Sequence, residues 1–153
     1  MKYHTIGAFK NVENIPYCKA AVDMKVGMGV ILDRENETAA LPTTEAECKA
    51  VHYMVSNIDD KFLFCSHVER GTVEAGEFVR ADDLTTVANL EIEFADSEIE
   101  DDYTTLTAGD KLVFNTDGVI EKVSSVTGYK VYFEMIALSA HHGGGIRAKI
   151  CVN

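Results

Sequence analysis

Tryptophan is absent from this chain, there are only two prolines, and aromatic residues make up 8% of its 153 positions. So few aromatics count against a carbohydrate- or host-surface-binding module, which uses exposed rings on its loops. No stretch approaches the roughly 18 uninterrupted apolar residues that a membrane-spanning helix needs. The opening MKYHTIGAFK lacks the apolar core of a secretory signal, so export is not expected. There is no C-x-x-C pair among Cys18, Cys48, Cys65 and Cys151. With no sign of an oxidising compartment, free thiols are the expectation, although four cysteines permit three disulfide pairings.

The most informative lack is local. From Ala81 to Asp110 there is no Lys or Arg, while ten acidic residues fall there, so this segment carries −10 of a net charge of −11. Nucleic-acid affinity is built from Lys and Arg neutralising phosphates, so such a field repels a phosphate backbone and nucleic-acid binding is not expected. The segment reads as a solvated face that keeps the protein soluble. A cation site is the sharper alternative: Asp96, Glu98, Glu100 and Asp102 alternate, and on a strand they would share one face. The EF-hand pattern fails, since no Gly stands at the sixth loop position and no Glu at the twelfth.

What is present is ordinary for a folded domain: 46% hydrophobic and 25% charged residues with mean hydropathy −0.03. A chain of this length buries about two-thirds of the surface its unfolded form exposes, and disorder would need lower hydrophobicity. The candidate chemistry is sparse. Cys65 and His67 would point to one side of a strand, and His141 and His142 could complete a tetrahedral zinc site with them. Nothing in the sequence brings the two segments together, and paired histidines before Gly143-Gly144-Gly145 also suit an exposed turn. A Cys65–His67 nucleophile and base lacks a visible orienting group or oxyanion loop. The Asn36-Glu-Thr38 sequon is expected to be idle without secretion. No catalytic, cofactor-binding or metal-binding residue is therefore assigned, and no cofactor is expected.

Short apolar runs bounded by Gly, Asn and Asp recur along the chain, the pattern of an all-β domain. Gly29–Leu32 leads through a polar turn at 33–37 to Thr38–Leu41, which predicts a hairpin. Thr44 with Glu47 three residues on is a capping box, which predicts one short helix over 45–50. Strands are expected over 51–57 and 61–69. In the C-terminal half, 111–114, 119–126, 129–138 and 146–152 read as four strands in meander order. Asp117-Gly118 and Thr127-Gly128 are two of the reversals. Val131, Phe133, Met135 and Ala137 are expected on one core face. Val73–Val79 and Thr107–Val113 share a polar Ala-Gly-acid turn followed by a rising apolar strand, as at barrel or sandwich edges. The predicted architecture is a single small β-barrel or sandwich of roughly eight to ten short antiparallel strands, spanning 18–153. Residues 1–17 lack any period and end at Pro16-Tyr17. They read as an N-terminal arm: a frayed terminus, an edge strand, or a segment that orders against a neighbouring molecule by adding a strand to its sheet edge.

Three stretches carry a family resemblance: Lys25-Val-Gly-Met-Gly-Val-Ile-Leu-Asp33 with Thr38-Ala-Ala-Leu-Pro42, Val73-Glu-Ala-Gly-Glu-Phe-Val-Arg-Ala81, and Ala108-Gly-Asp-Lys-Leu-Val113. They resemble the head decoration (auxiliary or cement) proteins of tailed bacteriophages. The resemblance implies a non-enzymatic virion protein, made in the host cytoplasm, that docks on the lattice of the major capsid protein, commonly as a homo-oligomer, and reinforces it. It implies no site residues, nucleic-acid partner or membrane. A small metal-dependent β-barrel enzyme using Cys65, His67, His141 or His142 is the alternative from another class.

Overall fold

A computed structural model describes residues 2–3, 13–56, 71–140 and 144–153. Thirteen strands and one α-helix occur among these residues. They are β1 (Lys2–Tyr3), β2 (Glu13–Ala20), β3 (Met24–Lys25), β4 (Gly29–Asp33), β5 (Thr38–Ala40), α1 (Glu45–Ala50), β6 (Tyr53–Val55), β7 (Thr72–Val73), β8 (Phe78–Asp83), β9 (Glu91–Ala95), β10 (Lys111–Phe114), β11 (Ile120–Val123), β12 (Val131–Ser139) and β13 (Gly145–Val152). Among the described residues the protein is all-β with one short α-helix, as the patterning predicts. The strands divide, however, into a closed five-stranded barrel in the order β2-β5-β4-β6-β8 and a six-stranded sheet in the order β1-β9-β13-β12-β10-β11. The short ribbon β3-β7 adds Met24 and Val73 to the barrel core.

Five strands enclose a narrow bore, and several of the inward side chains are correspondingly small. Cys18, Ala20, Ala39 and Ala81 all face in and are at most 4% exposed. Pairing passes from Ile15↔Ala81 to Cys18↔Val79, so Pro16 and Tyr17 together oppose Arg80. This is a β-bulge, one of the few places in a sheet where a proline's missing N–H does no harm. Pro16 therefore kinks a barrel strand rather than ending a loose arm, and the boundary drawn after Tyr17 falls inside β2. Residues 2–3 pair with Ile92 and Glu93 on the edge of the six-stranded sheet; the rest of the expected arm before Glu13 lies outside the described residues.

Barrel and sheet are joined through β6, whose alternation serves both. Tyr53 and Val55 belong to the barrel core, whereas Met54 is buried in the core of the sheet. In that second core Phe133 stands edge-on to Phe94 and to Phe114, with centroids 4.9 and 5.2 Å apart, the arrangement that aromatic quadrupoles favour.

The hairpin β4–β5 forms as expected, with Leu32 opposite Ala39. The helix is present with its full capping box: the Glu47 amide donates to Thr44 Oγ1 at 3.2 Å, and Glu47 Oε2 accepts from the Thr44 amide at 3.1 Å. The hairpin β10–β11 turns through Gly118, whose φ of +76° supplies the left-handed residue. Two expectations for the C-terminal half are corrected. The four strands are not a meander, because β12 pairs with β10, with Leu112 opposite Phe133, and leaves β11 outside it. The link at 124–130 is long enough to cross the end of β11, whereas a meander would need a tight turn there. Ala137 also leaves the core face, because the register shifts between Met135 and Ala137 and the extra residue, Ile136, reverses the alternation. The strand expected over 61–69 lies outside the described residues.

Candidate functional site

The residues that suggested chemistry, Cys65, His67, His141 and His142, lie outside the described residues. Cys18 is buried in the barrel and Cys48 on α1, and burial is the leading cause pushing both thiols up from their ordinary pKa. Cys151 is half-buried on β13, and all three are free. Among the described residues no group of three or more His, Cys, Asp and Glu is placed to hold a metal. No helix among them is long and apolar enough to cross a membrane.

The acidic segment does not form an alternating strand face, so the notion of Asp96, Glu98, Glu100 and Asp102 converging on a cation is corrected. Asp96–Glu98 is a turn of 3-10 helix, Glu98 is buried, and Glu100 is exposed. Much of the run instead serves backbone amides at turns. Asp83 Oδ1 accepts from the Thr85 amide at 2.9 Å and its hydroxyl at 2.6 Å. Asp102 Oδ1 does the same for Thr104, at 3.0 and 2.6 Å. The next threonines, Thr86 and Thr105, return a hydroxyl bond to the aspartate carbonyls. Asp83-Leu-Thr-Thr86 and Asp102-Tyr-Thr-Thr105 are thus one capping device used twice, each opening a short 3-10 helix. An aspartate followed by two threonines at fixed spacing is a signal the sequence carries, distinct from its charge. The two Ala-Gly-acid turns are likewise equivalent. The Glu74 amide donates to Glu77 Oε2 at 3.1 Å and the Thr107 amide to Asp110 Oδ2 at 2.8 Å, with Gly76 and Gly109 both at positive φ.

Three surface features remain. The outward face of the six-stranded sheet carries charges of alternating sign from strand to strand. Lys111 on β10 pairs with Glu134 on β12 at 2.6 Å, Lys149 on β13 reaches Glu134 at 4.0 Å, and Arg147 lies 3.5 Å from Glu91 on β9. The Lys111 hydrogen bond holds the Glu134 carboxyl below its ordinary range. These ion pairs link neighbouring strands, and the buried Nε of Arg147 has the Glu91 charge near it without a hydrogen bond.

The barrel wall is different. Phe78 on β8 is 58% exposed and Tyr17 on β2 is 39% exposed. Lys19, cross-strand from Phe78, places its ammonium 5.3 Å from the ring centroid. Alternation explains the placement: Cys18 and Val79 point into the bore, so their neighbours Tyr17 and Phe78 point out. No part of barrel closure requires aromatic side chains there.

The third feature is a cleft of about 340 Å³ where barrel and sheet meet. Lys25 at the end of β3, Val26 and Met28 from the link before β4, Ser97 and Glu98 after β9, and Val119 from the β10–β11 turn line it. Glu98 is 7% exposed, and its Oε2 accepts from the Ala95 amide at 2.8 Å. Its side chain lies against Gly27, where φ is +96° and where a β-carbon would fall 2.9 Å from Glu98 Cδ. Neither this cleft nor the aromatic wall was singled out from the sequence, since their residues come from separate segments. No protein-family model matches the chain, and no curated protein matches it.

Proposed function

We propose that this chain is a non-catalytic virion structural protein of the head-decoration type, which docks on an assembled capsid lattice and stabilises it. The observation that carries the reading is the aromatic pair on the barrel wall. Protein interfaces are enriched in aromatic anchors with a polar rim, and Tyr17 and Phe78 beside Lys19 have that composition. The three stretches that resemble decoration proteins support the same reading. Two of them supply β4, β5 and β8 of the barrel and include Phe78, whereas Tyr17 and Lys19 stand on β2 outside them. A subunit that binds only the assembled shell shifts the assembly equilibrium toward it by mass action. Repeated copies on a lattice multiply a modest contact if the protein is itself an oligomer.

The test is co-sedimentation of the purified protein with heads assembled from the major capsid protein encoded in the same genome, set against free capsid subunits. Saturable binding to heads with little binding to subunits is expected. Absence of a capsid gene in that genome, or failure to bind assembled heads, overturns the reading.

A further inference from the structure

We propose that the barrel wall at Tyr17, Lys19 and Phe78 receives an acidic segment of a protein partner. One Asp or Glu carboxylate of that segment sits on the Lys19 ammonium, and an apolar neighbour lies on the rings. This rests on the docking reading above for its partner, and its test does not require the capsid.

The argument begins with the charge of Lys19. On the sheet, Lys111, Arg147 and Lys149 each stand within 4.0 Å of a carboxylate, as do Lys49 on α1 and Lys122 on β11. Lys19 forms no such pair among the described residues, and its ammonium stands instead 5.3 Å from the centroid of the Phe78 ring. The two acids beside it in the backbone network do not neutralise it. Glu37 meets Lys19 through its carbonyl, which accepts from the Lys19 amide at 2.7 Å, and Glu77 Oε2 accepts from the Glu74 amide at 3.1 Å. In a chain of net charge −11, an exposed cation without a carboxylate is a place where an acidic partner meets attraction rather than repulsion. Lys19 suits a single carboxylate, whereas a phosphate backbone needs several cations in succession.

The surroundings prepare this cation for binding. The Phe78 ring face attracts the ammonium and shields one side of it from water. Strand β2 is paired on both sides here, with Lys19 opposite Phe78 on β8 and Thr38 on β5, so little of the backbone is left to order on binding. Tyr17 precedes Lys19 by two residues, about 7 Å along the strand. An extended segment has the same repeat, so its alternate side chains reach Lys19 and Tyr17 together. The barrel is closed, so the partner is met by these side chains rather than by a free strand edge.

The experiment is a titration of the isotope-labelled full chain, followed by amide NMR, with the capped peptide acetyl-Asp-Gly-Phe-amide. Acetyl-Asn-Gly-Phe-amide, of the same shape without the charge, is the control. Millimolar binding of the acidic peptide is expected, as for a ligand of its size. Shifts should be concentrated at the amides of Tyr17, Lys19 and Phe78. The neutral peptide should bind about fivefold more weakly, and the difference should shrink in about 0.5 M salt. Lys19→Met, which keeps the stem over the ring, should reduce acidic-peptide binding to the neutral level, and Lys19→Arg should retain it. Equal binding of the two peptides, no shifts at these amides, tighter binding of oligothymidylate, or shifts that follow protein concentration instead of peptide overturns the proposal. The comparison of the two peptides on the natural chain stands even if a variant does not fold. Heads that bind the natural chain and Lys19→Met equally well would overturn the acidic partner alone and leave the docking reading intact. Peptide binding as described, without any binding to heads, would overturn the docking reading alone.

Discussion

The ring of Phe114 lies against the backbone of Gly29, so closely that a β-carbon at Gly29 would fall 2.6 Å from both of its Cδ atoms. Gly29 opens barrel strand β4 and Phe114 ends sheet strand β10, so this contact joins the two halves of the molecule beside the shared strand β6. The adjacent Gly29 amide donates to the Gly118 carbonyl at 2.8 Å, tying the same strand to the β10–β11 turn.

Replacing Gly29 by alanine should therefore cost more than a surface change. The added methyl must displace a fully packed aromatic ring, and overpacking of this kind costs about 1–3 kcal/mol. Chemical denaturation of Gly29→Ala should show that loss, with one cooperative transition retained. A change within about 0.5 kcal/mol would mean that the junction is looser than described.

The helix cap makes a second test. Thr44→Ala removes the side-chain acceptor for the Glu47 amide and should lower stability by about 1 kcal/mol. Thr44→Ser keeps the acceptor and should restore most of it.

Acidic residues close in sequence should behave unlike one another. Glu98→Ala deletes the acceptor for the half-buried Ala95 amide and opens space beneath Gly27, a loss of about 1–3 kcal/mol. Glu100→Gln, at an exposed position, should change stability by less than about 0.5 kcal/mol. Urea titration of both variants checks this, and equal small effects would restore the reading of the whole run as a solvated face.

A pH dependence follows from His52. Burial pushes its pKa below the ordinary value; the positive charges of Lys130 and Arg34 push the same way, and the Ala50 carbonyl, 2.8 Å from Nδ1, opposes them. A depressed histidine binds its proton more readily in the unfolded chain, so its contribution to stability is fully present above about pH 6.5. It is lost as pH falls through the lower folded value. Unfolding free energy should decline on acidification from pH 7, and His52→Gln should flatten that decline. The aspartates and glutamates whose pKa is lowered act in the same direction further down. These include Asp110, held down first by Lys122, and Glu134, held down first by Lys111. Their contributions hold above the ordinary carboxylate pKa near 4 and disappear below it.

How far the fold could be read from the sequence depended on the range of the forces involved. The helix at Glu45–Ala50 and the hairpins at 29–40 and 111–123 are specified by neighbours, through a capping box and through turn residues, and they form where expected. Strand order is not a local property. Alternation in β12 identifies the face of Phe133 but not its neighbour, so the pairing with β10 across the edge strand β11 was invisible. Bulges are equally hard to anticipate: one extra residue at Ile136 and one at Pro16-Tyr17 alter which side chains face inward, and only the partner strand reveals them. The acidic segment misled for a different reason. Counting charge ignored that Asp83 and Asp102 precede paired threonines, a spacing that binds the carboxylate to the backbone. The cleft and the aromatic wall each join residues from distant segments, and no local pattern marks them.

The central claim, docking on a capsid lattice through the barrel wall, is tested most directly by the temperature at which assembled heads come apart, measured by calorimetry with and without saturating protein. The account predicts that the natural chain raises this temperature. It also predicts that Tyr17→Ser/Phe78→Ser, folded to the same stability, neither raises it nor co-sediments with the heads. Heads whose disruption temperature is unmoved by the natural chain, or is raised equally by the double variant, would contradict it.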